Sequence, residues 1–379
     1  MCTPTTSLSI GIVTEHYYPV LGGVSENVHH TARELIARGH RVRIITPAVS
    51  TNGSALAVPD GIPVTNVGRA VTLHGNGART NVAVGLHLWR DLADVLRLQP
   101  FDIVQLHSPL TPTLPPLAAL LSRAPRVATF HSYFDRSRVY ALFHTVLQRE
   151  FLGRVEGVTA VSPSVAEALS HYFDMEPRII PNGVDTTEFH PEVPRLERFD
   201  PGKRTLLFLG HFHARNGLEF MLRAFRLVRA RVGNVRLIVV GSGRIKHSYD
   251  RVIGSEALSD VHFEGPALLE RPAYYATADV FCSPVSKASF GITLLEAMAS
   301  ARAIVATDNV GYRALLGPEE GLLVPQDVDA FAEGIIRLLG DDDLRAAMGA
   351  AGRRKALRFA WPVVVDQLLE YFGEILARR

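Results

Sequence analysis

Residues 7–47 read "SLSIGIVTEHYYPVLGGVSENVHHTARELIARGHRVRIITP", and this stretch decides the fold class. An apolar run opens it and breaks at Pro19, Gly22 and Gly23. Apolar residues then recur at helical spacing over about Val24 to Arg38, and Gly39 follows as a C-terminal cap. The second apolar run, "RVRIITP", is a buried strand. Strand, glycine turn, helix, strand is a βαβ unit, whose two strands lie parallel. Gly22 and Gly23 fall where the strand feeds the helix, and free backbone N–H groups there favour an anion such as phosphate. Taken alone, the pair is an ordinary tight turn. No GKT or GKS follows it, and the spacing of a dinucleotide fingerprint is incomplete.

The alternation continues outward from this unit. Strands are expected at "FDIVQLHS" and "RVATFHS" and, after "GVTAVSPSVAEALSHYF", at "PRIIPNGVD", with helices at "GLHLWRDLADVLRLQ" and "TLPPLAALLSR". The polar, proline-bearing segment "HPEVPRLERFDPGK", from His190, is the expected linker. A second series then begins: "TLLFLGHF", helix "GLEFMLRAFRLVRAR", strands "VRLIVVGSG" and "VHFEGP", helix "RPAYYATA", strand "DVFCSP", helix "GITLLEAMA" and strand "AIVATD". This predicts an α/β protein of two Rossmann-like domains, residues 1–190 and 203–358, with a cleft between them and a C-terminal helix over 359–379. Ligands of such sheets bind at the carboxyl ends of strands, so the loops after each strand are where chemistry is sought.

Composition narrows the function. With 40 basic and 38 acidic side chains the charge is nearly balanced, which argues against a nucleic-acid binder that relies on bulk phosphate attraction. The two cysteines, Cys2 and Cys282, lie far apart and suggest neither a disulfide framework nor a zinc site. No apolar run approaches the roughly 20 residues needed to span a bilayer, and no signal-peptide pattern opens the chain. A cytoplasmic protein is expected, with any membrane role peripheral at the inner face.

Several loops carry candidate chemistry. His131, in "RVATFHSYF", ends a strand where an imidazole can bond a substrate or shuttle a proton; His107 in "IVQLHSP" is placed alike, and position alone does not separate them. In "FLGHFHARNGLEF", His211, His213, Arg215 and Asn216 lie between a strand and a helix opening at Gly217, a plausible phosphate grip with one permanent cation. "VVGSG", with Gly241, is another glycine turn after a strand. In "SFGITLLEAM", Ser289 can cap the helix, Gly291 lets a ligand approach the backbone, and Glu296 can accept from the sugar hydroxyls of a nucleotide.

Taken in order, "HYYPVLGGVSENVHHTARELIARGHRVRIITP", "ATFHS", "VSPSVAEAL", "IIPNGVDTTEFHP", "FLGHFHARNGLEFMLRAF", "ADVFCSP" and "SFGITLLEAMASARAIVATD" resemble the retaining GT-B glycosyltransferases of family GT4. The likeness runs almost end to end. Within that family, "GGVSENVHH", "ATFHSYF" and "ADVFCSPVSKASFGITLLEAMA" are most similar to bacterial phosphatidylinositol mannosyltransferases.

The resemblance implies a nucleotide sugar, a GDP- or UDP-hexose, held mainly by the second domain. The acceptor, a lipid or small molecule, is held mainly by the first, and transfer retains the anomeric configuration without a metal or other cofactor. It also implies that the C-terminal helix packs back on the first domain. Gly22 and Gly23 would approach the diphosphate, and His131 would bond the transferred sugar or position the acceptor. His211, Arg215, Asn216, Gly241, Ser289, Phe290, Gly291 and Ile292 would line the donor site, with Glu296 on the ribose. Peripheral membrane contact follows from the subfamily likeness and from Arg69, Arg79, Arg90, Arg136 and Arg138.

Two departures stand out. The family's arginine after the strand glycine and its lysine five residues on are here His211 and Asn216, with Arg215 beside the lysine position. Of two glutamates eight apart, the first is Ala288; its sugar contact must differ, weaken, or come from Ser286, Lys287 or Ser289. The competing expectation is therefore a weak or inactive paralogue that binds nucleotide or a partner.

Overall fold

The computed structural model describes residues 7–20, 22–49, 61–75, 78–111, 113–133, 145, 148–244, 248–254, 256–267 and 269–378. They form two compact units, Met1–Asn182 with Trp361–Arg379, and Gly183–Ala360.

The first unit is built on a sheet of order β4-β3-β2-β1-β5-β6-β7-β8. Its strands are β1 (Ser9–Val13), β2 (Arg41–Ala48), β3 (Val64–Gly75), β4 (Ala78–Val84), β5 (Ile103–His107), β6 (Arg126–Phe130), β7 (Gly157–Ala160) and β8 (Arg178–Ile179). β1 lies between β2 and β5, with Ile10 opposite Val42 and Ile103, so its apolar run is buried on both faces. The intervening helix, Gly23–Ala37, ends as its composition predicts: Gly39 takes φ +84, and its N–H bonds Ile36 O at 2.9 Å. β4 runs antiparallel to β3, an addition that the strand-helix alternation does not announce. This ribbon buries Val67, Val82 and Ala83 and leaves Val71 and Val84 exposed.

The second unit carries a sheet of order β11-β10-β9-β12-β13-β14, parallel throughout. Its strands are β9 (Arg204–Leu209), β10 (Val235–Val240), β11 (Val261–Gly265), β12 (Val280–Ser283), β13 (Ala303–Thr307) and β14 (Leu322–Val324). Helix Leu218–Val232 buries Leu218, Met221, Leu222, Phe225 and Val228, at helical spacing, against the sheet. Helices Val328–Gly340 and Asp342–Ala356 start under their own caps: Asp327 accepts from Ala330 N at 2.9 Å and Asp341 from Leu344 N at 2.8 Å.

The domain boundaries differ from those expected. The units divide at Asn182 and Gly183, and the presumed linker is tied to the second unit. Arg195 donates to Thr277 O at 2.6 Å, Leu196 N to Thr277 Oγ1 at 2.9 Å, and Arg198 pairs with Glu264 and Glu270. Proline and charge in that stretch exclude regular structure without excluding contacts. The C-terminal helix, Trp361–Ala377, belongs to the first unit, where Trp361, Val365, Leu368, Phe372 and Ile375 join the core that holds Ile10 and Ile44. Polar anchors fix it: Arg178 pairs with Glu374 at 2.8 Å, Val158 N donates to the Tyr371 hydroxyl at 3.0 Å, and Arg38 pairs with Asp366 at 2.9 Å.

The second anchor gives a direct test. Tyr371→Phe leaves the Val158 N–H without its partner and is expected to lower the unfolding free energy by about 1–2 kcal/mol. Thermal or urea unfolding followed by circular dichroism reads the shift, and an unchanged midpoint refutes the anchoring role.

Candidate functional site

Both sheets reverse strand order once, between β1 and β5 in the first unit and between β9 and β12 in the second. Loops leaving the carboxyl ends of such neighbouring strands diverge and leave a crevice for a ligand. Every candidate residue except Glu296 lies on or beside a loop at the carboxyl end of a strand, with His131 after β6 and Gly241 after β10 one strand from the reversal.

In the second unit the loops after β9, β10, β12 and β13 are bonded into one platform. Phe212 N donates to Ser242 O at 2.8 Å and Ser286 N to Arg215 O at 2.9 Å. Asn309 Nδ2 donates to Val285 O at 2.9 Å. His211 Nδ1 and Ser242 Oγ lie 2.8 Å apart, and Asn216 Nδ2 donates to His211 O at 2.7 Å. Asn216 therefore braces the loop backbone, while the Arg215 side chain stays exposed. Across the platform, Gly291 takes φ +126 and holds the N-cap position of helix Ile292–Ala299, where the absence of a side chain leaves the backbone open to close approach. Gly291, and not Ser289, stands at the cap position. Ser289, Gly291 and Ile292 are half-buried beside this start, and Phe290 is buried against Phe359.

Glu296 is drawn inward. It is 2% exposed; its Oε2 accepts from the Tyr275 hydroxyl at 2.8 Å, and Oε1 pairs with Arg271 at 3.2 Å. This acid already holds a buried ion pair within the unit, apart from anything it offers a ligand.

In the first unit, Gly22 precedes helix Gly23–Ala37, which has no side-chain cap, and a Cβ at Gly22 would meet nothing within 4 Å. His131 is buried after β6 and bonded to His107, the last residue of β5, with 2.8 Å between His107 Nδ1 and His131 Nε2. Burial pushes the His131 imidazole down to about 3 and that of His107 well below its usual value, so both rings are neutral at neutral pH.

Sequence reasoning passed over Glu15. It follows β1 and is fully buried. Its Oε1 accepts from the Thr113 hydroxyl and from Leu114 N, the latter at 2.7 Å. Helix Leu114–Leu121 begins Leu-Pro-Pro, so two of its first three residues have no N–H, and Glu15 takes the one that does. Its Oε2 is buried without a hydrogen-bond partner among the described residues. An acid directly after an apolar strand at the carboxyl edge was the available signal. Ser242 falls in the glycine turn "VVGSG" already singled out, where nothing local distinguishes it. Among the described residues, no group of three or more His, Cys, Asp or Glu is arranged to hold a metal ion.

Residues 203–341 match the family model described as "Glycosyl transferases group 1", and residues 21–188 that described as "Glycosyltransferase Family 4". The chain is 32% identical to the phosphatidyl-myo-inositol mannosyltransferase of Mycobacterium tuberculosis, with 97% of each chain covered. It is 29% identical to a GDP-mannose-dependent alpha-mannosyltransferase of Mycolicibacterium smegmatis, over 98% of this chain and 99% of that one. Among solved structures, a glycosyltransferase from Rickettsia africae superposes with a TM-score of 0.78 at 19% identity, covering 98% of this chain and 99% of its own. Anabaena HepE, in complex with UDP and glucose, gives 0.75 at 17% identity, with 97% and 99% covered.

The buried acid sets a pH dependence. Burial pushes the Glu15 carboxyl up from 4.5 to about 7, against the opposing hydrogen bonds from Thr113 and Leu114. Between those values the folded chain holds a proton that the unfolded chain releases, so this group's contribution to stability falls as pH rises from 4.5 to 7. Glu15→Gln keeps the Oε1 acceptor and removes the titration. Its stability relative to the parent is expected to rise from pH 5 to pH 8, measured by urea unfolding; a pH-independent difference refutes the assignment.

Proposed function

The chain belongs to the family 4 glycosyltransferases, with their GT-B fold, and we propose that it moves mannose from a nucleotide sugar to a phosphatidylinositol-type lipid or a small-molecule acceptor. Transfer retains the anomeric configuration and uses no metal. The donor is a GDP- or UDP-hexose. The observation that supports this best is the platform of the second unit, where exposed Arg215 and the helix start at Gly291 sit on loops bonded to each other through Ser286. A permanent cation and the positive end of a helix on a rigid support suit a leaving diphosphate, whose growing charge they neutralise as the sugar departs. His211 and Ser242, already bonded, add polar groups on the same platform, and Gly241 keeps the neighbouring loop free of side chain. Gly22 and Gly23 offer the other glycine turn at a helix start, and His131 is assigned to a hydroxyl of the sugar or acceptor.

A lipid acceptor calls for contact with a bilayer surface. In the first unit Leu86 is 100% exposed and Trp89 53%, with Val71 and Val84 exposed as well and exposed Arg69 and Arg90 nearby in sequence. Apolar anchors with arginines suit an anionic interface. The Arg79 side chain, Arg136 and Arg138 lie outside the described residues. No described helix is long and apolar enough to cross a membrane.

Purified protein given GDP-mannose or UDP-hexoses and phosphatidylinositol vesicles is expected to form a glycolipid in the presence of EDTA. Arg215→Ala should lower kcat/KM by roughly 10- to 100-fold, the loss of about 1.5–3 kcal/mol from one charged hydrogen bond. Absence of transfer from every donor, together with a raised melting temperature in GDP or UDP, would replace this function with nucleotide binding alone.

Vesicle flotation tests the surface. Binding to anionic vesicles is expected to drop several-fold when Leu86 and Trp89 are both changed to Ser; equal flotation of parent and variant removes that face from the proposal.

A further inference from the structure

The proposed reaction leaves His107 without a role. It ends β5 beside β6, whose following residue is His131, and the two imidazoles form a buried pair. Their ring planes differ by 17° and their centroids are 5.0 Å apart. With 2.8 Å between His107 Nδ1 and His131 Nε2, the centroid separation is about that distance plus the two ring radii. The rings therefore lie edge to edge in nearly one plane, the geometry of a direct N–H···N hydrogen bond rather than of a stack.

A neutral imidazole carries one proton, so only two arrangements exist for the pair. If His131 donates from Nε2, His107 accepts at Nδ1 and must hold its own proton on Nε2. That nitrogen is buried and has no hydrogen-bond partner among the described residues, so the N–H would be orphaned. If His107 donates from Nδ1, its Nε2 carries only a lone pair. Orphaned buried N–H groups are the rarer of the two defects, and the second arrangement avoids one.

We infer that His107 is a positioning residue: it donates its Nδ1 proton to Nε2 of His131 and thereby locks His131 as the Nδ1–H tautomer. His131 then meets its ligand through Nδ1 as a hydrogen-bond donor. A donor there suits the oxygen of a sugar or acceptor hydroxyl and does not suit abstraction of a proton, because the one lone pair of His131 is committed to His107. The identity of that oxygen rests on the glycosyltransferase function proposed above; the tautomer does not.

Long-range proton–nitrogen correlation spectra of the full chain, labelled with nitrogen-15 at histidine and recorded at pH 7, read the tautomer directly. The His131 signals are identified by their absence in His131→Gln. The expected pattern has the proton on Nδ1, the minor form of free histidine. In His107→Leu the His131 ring should revert to the Nε2–H form, and kcat for hexose transfer should fall about 10- to 100-fold with the donor KM little changed. His107→Asn, whose side-chain amide places a donor near the former Nδ1, should restore both the tautomer and kcat. A proton on Nε2 of His131 in the parent protein overturns the inference with no variant needed. An Nδ1–H pattern in a protein that transfers no sugar upholds the tautomer and defeats the proposed reaction instead.

Discussion

Backbone packed directly against backbone is the constraint on which the second unit depends. A Cβ on Gly241 would stand 1.9 Å from Gly210 O, one on Gly311 2.2 Å from Ala288 O, and one on Gly217 2.3 Å from Pro284 O. No side chain fits any of these places, and Gly217 and Gly241 also take φ of +74 and +148. The loops after four strands are thereby fused at the carboxyl edge of the sheet, with their amides already oriented. A ligand that meets such a platform spends little of its binding energy on ordering loops. The exposed arginine gains from this as well, since the carbonyl of Arg215 is fixed by both the backbone and the hydroxyl of Ser286 while its guanidinium stays in solvent.

The first unit solves a different problem, that of keeping titratable groups out of water. Glu15, His107 and His131 are all buried, and for each the loss of hydration favours the neutral form. His29 behaves in the same way: bonded to the Tyr17 hydroxyl at 3.1 Å, its ring is pushed down to about 4. Neutral groups of this kind act through directed hydrogen bonds and contribute little long-range field. Glu15 shows the economy of the arrangement, because one buried carboxyl group supplies the start of a helix whose own prolines leave it a single early N–H.

Much of this architecture was legible from periodicity. Parallel strands buried on both faces read as continuous apolar runs, and β1, β2, β5, β6, β9, β10 and β12 all fall where such runs stand. The β3–β4 ribbon escaped because one face is solvated and its alternating pattern resembles loop composition. The linker was misplaced because its contacts, such as Arg198 with Glu264 and Glu270, join residues more than sixty positions apart. At the site, glycines and the exposed arginine could be read locally. The pairings of His107 with His131 and of Glu296 with Arg271 could not, since each depends on where another strand or helix ends; that of Asn216 with the His211 carbonyl lies within one loop and depends on how the loop turns.

The two departures from the family pattern are better understood together than as separate defects. The family pattern places an arginine, a lysine and two glutamates around the donor, a formal charge of zero. At the matching positions this chain carries His211 and Asn216 for the two cations, with Arg215 beside the second, and Ala288 and Glu296 for the two acids. Because the charge of Glu296 is met within the unit by Arg271, the positive features left beside the helix start are Arg215, the helix dipole and exposed Lys287. A carboxylate at position 288 would oppose that field. On the function proposed above, Arg215 and the helix start remain for an anionic diphosphate, and the change at Ala288 bears on how the transferred sugar is recognised.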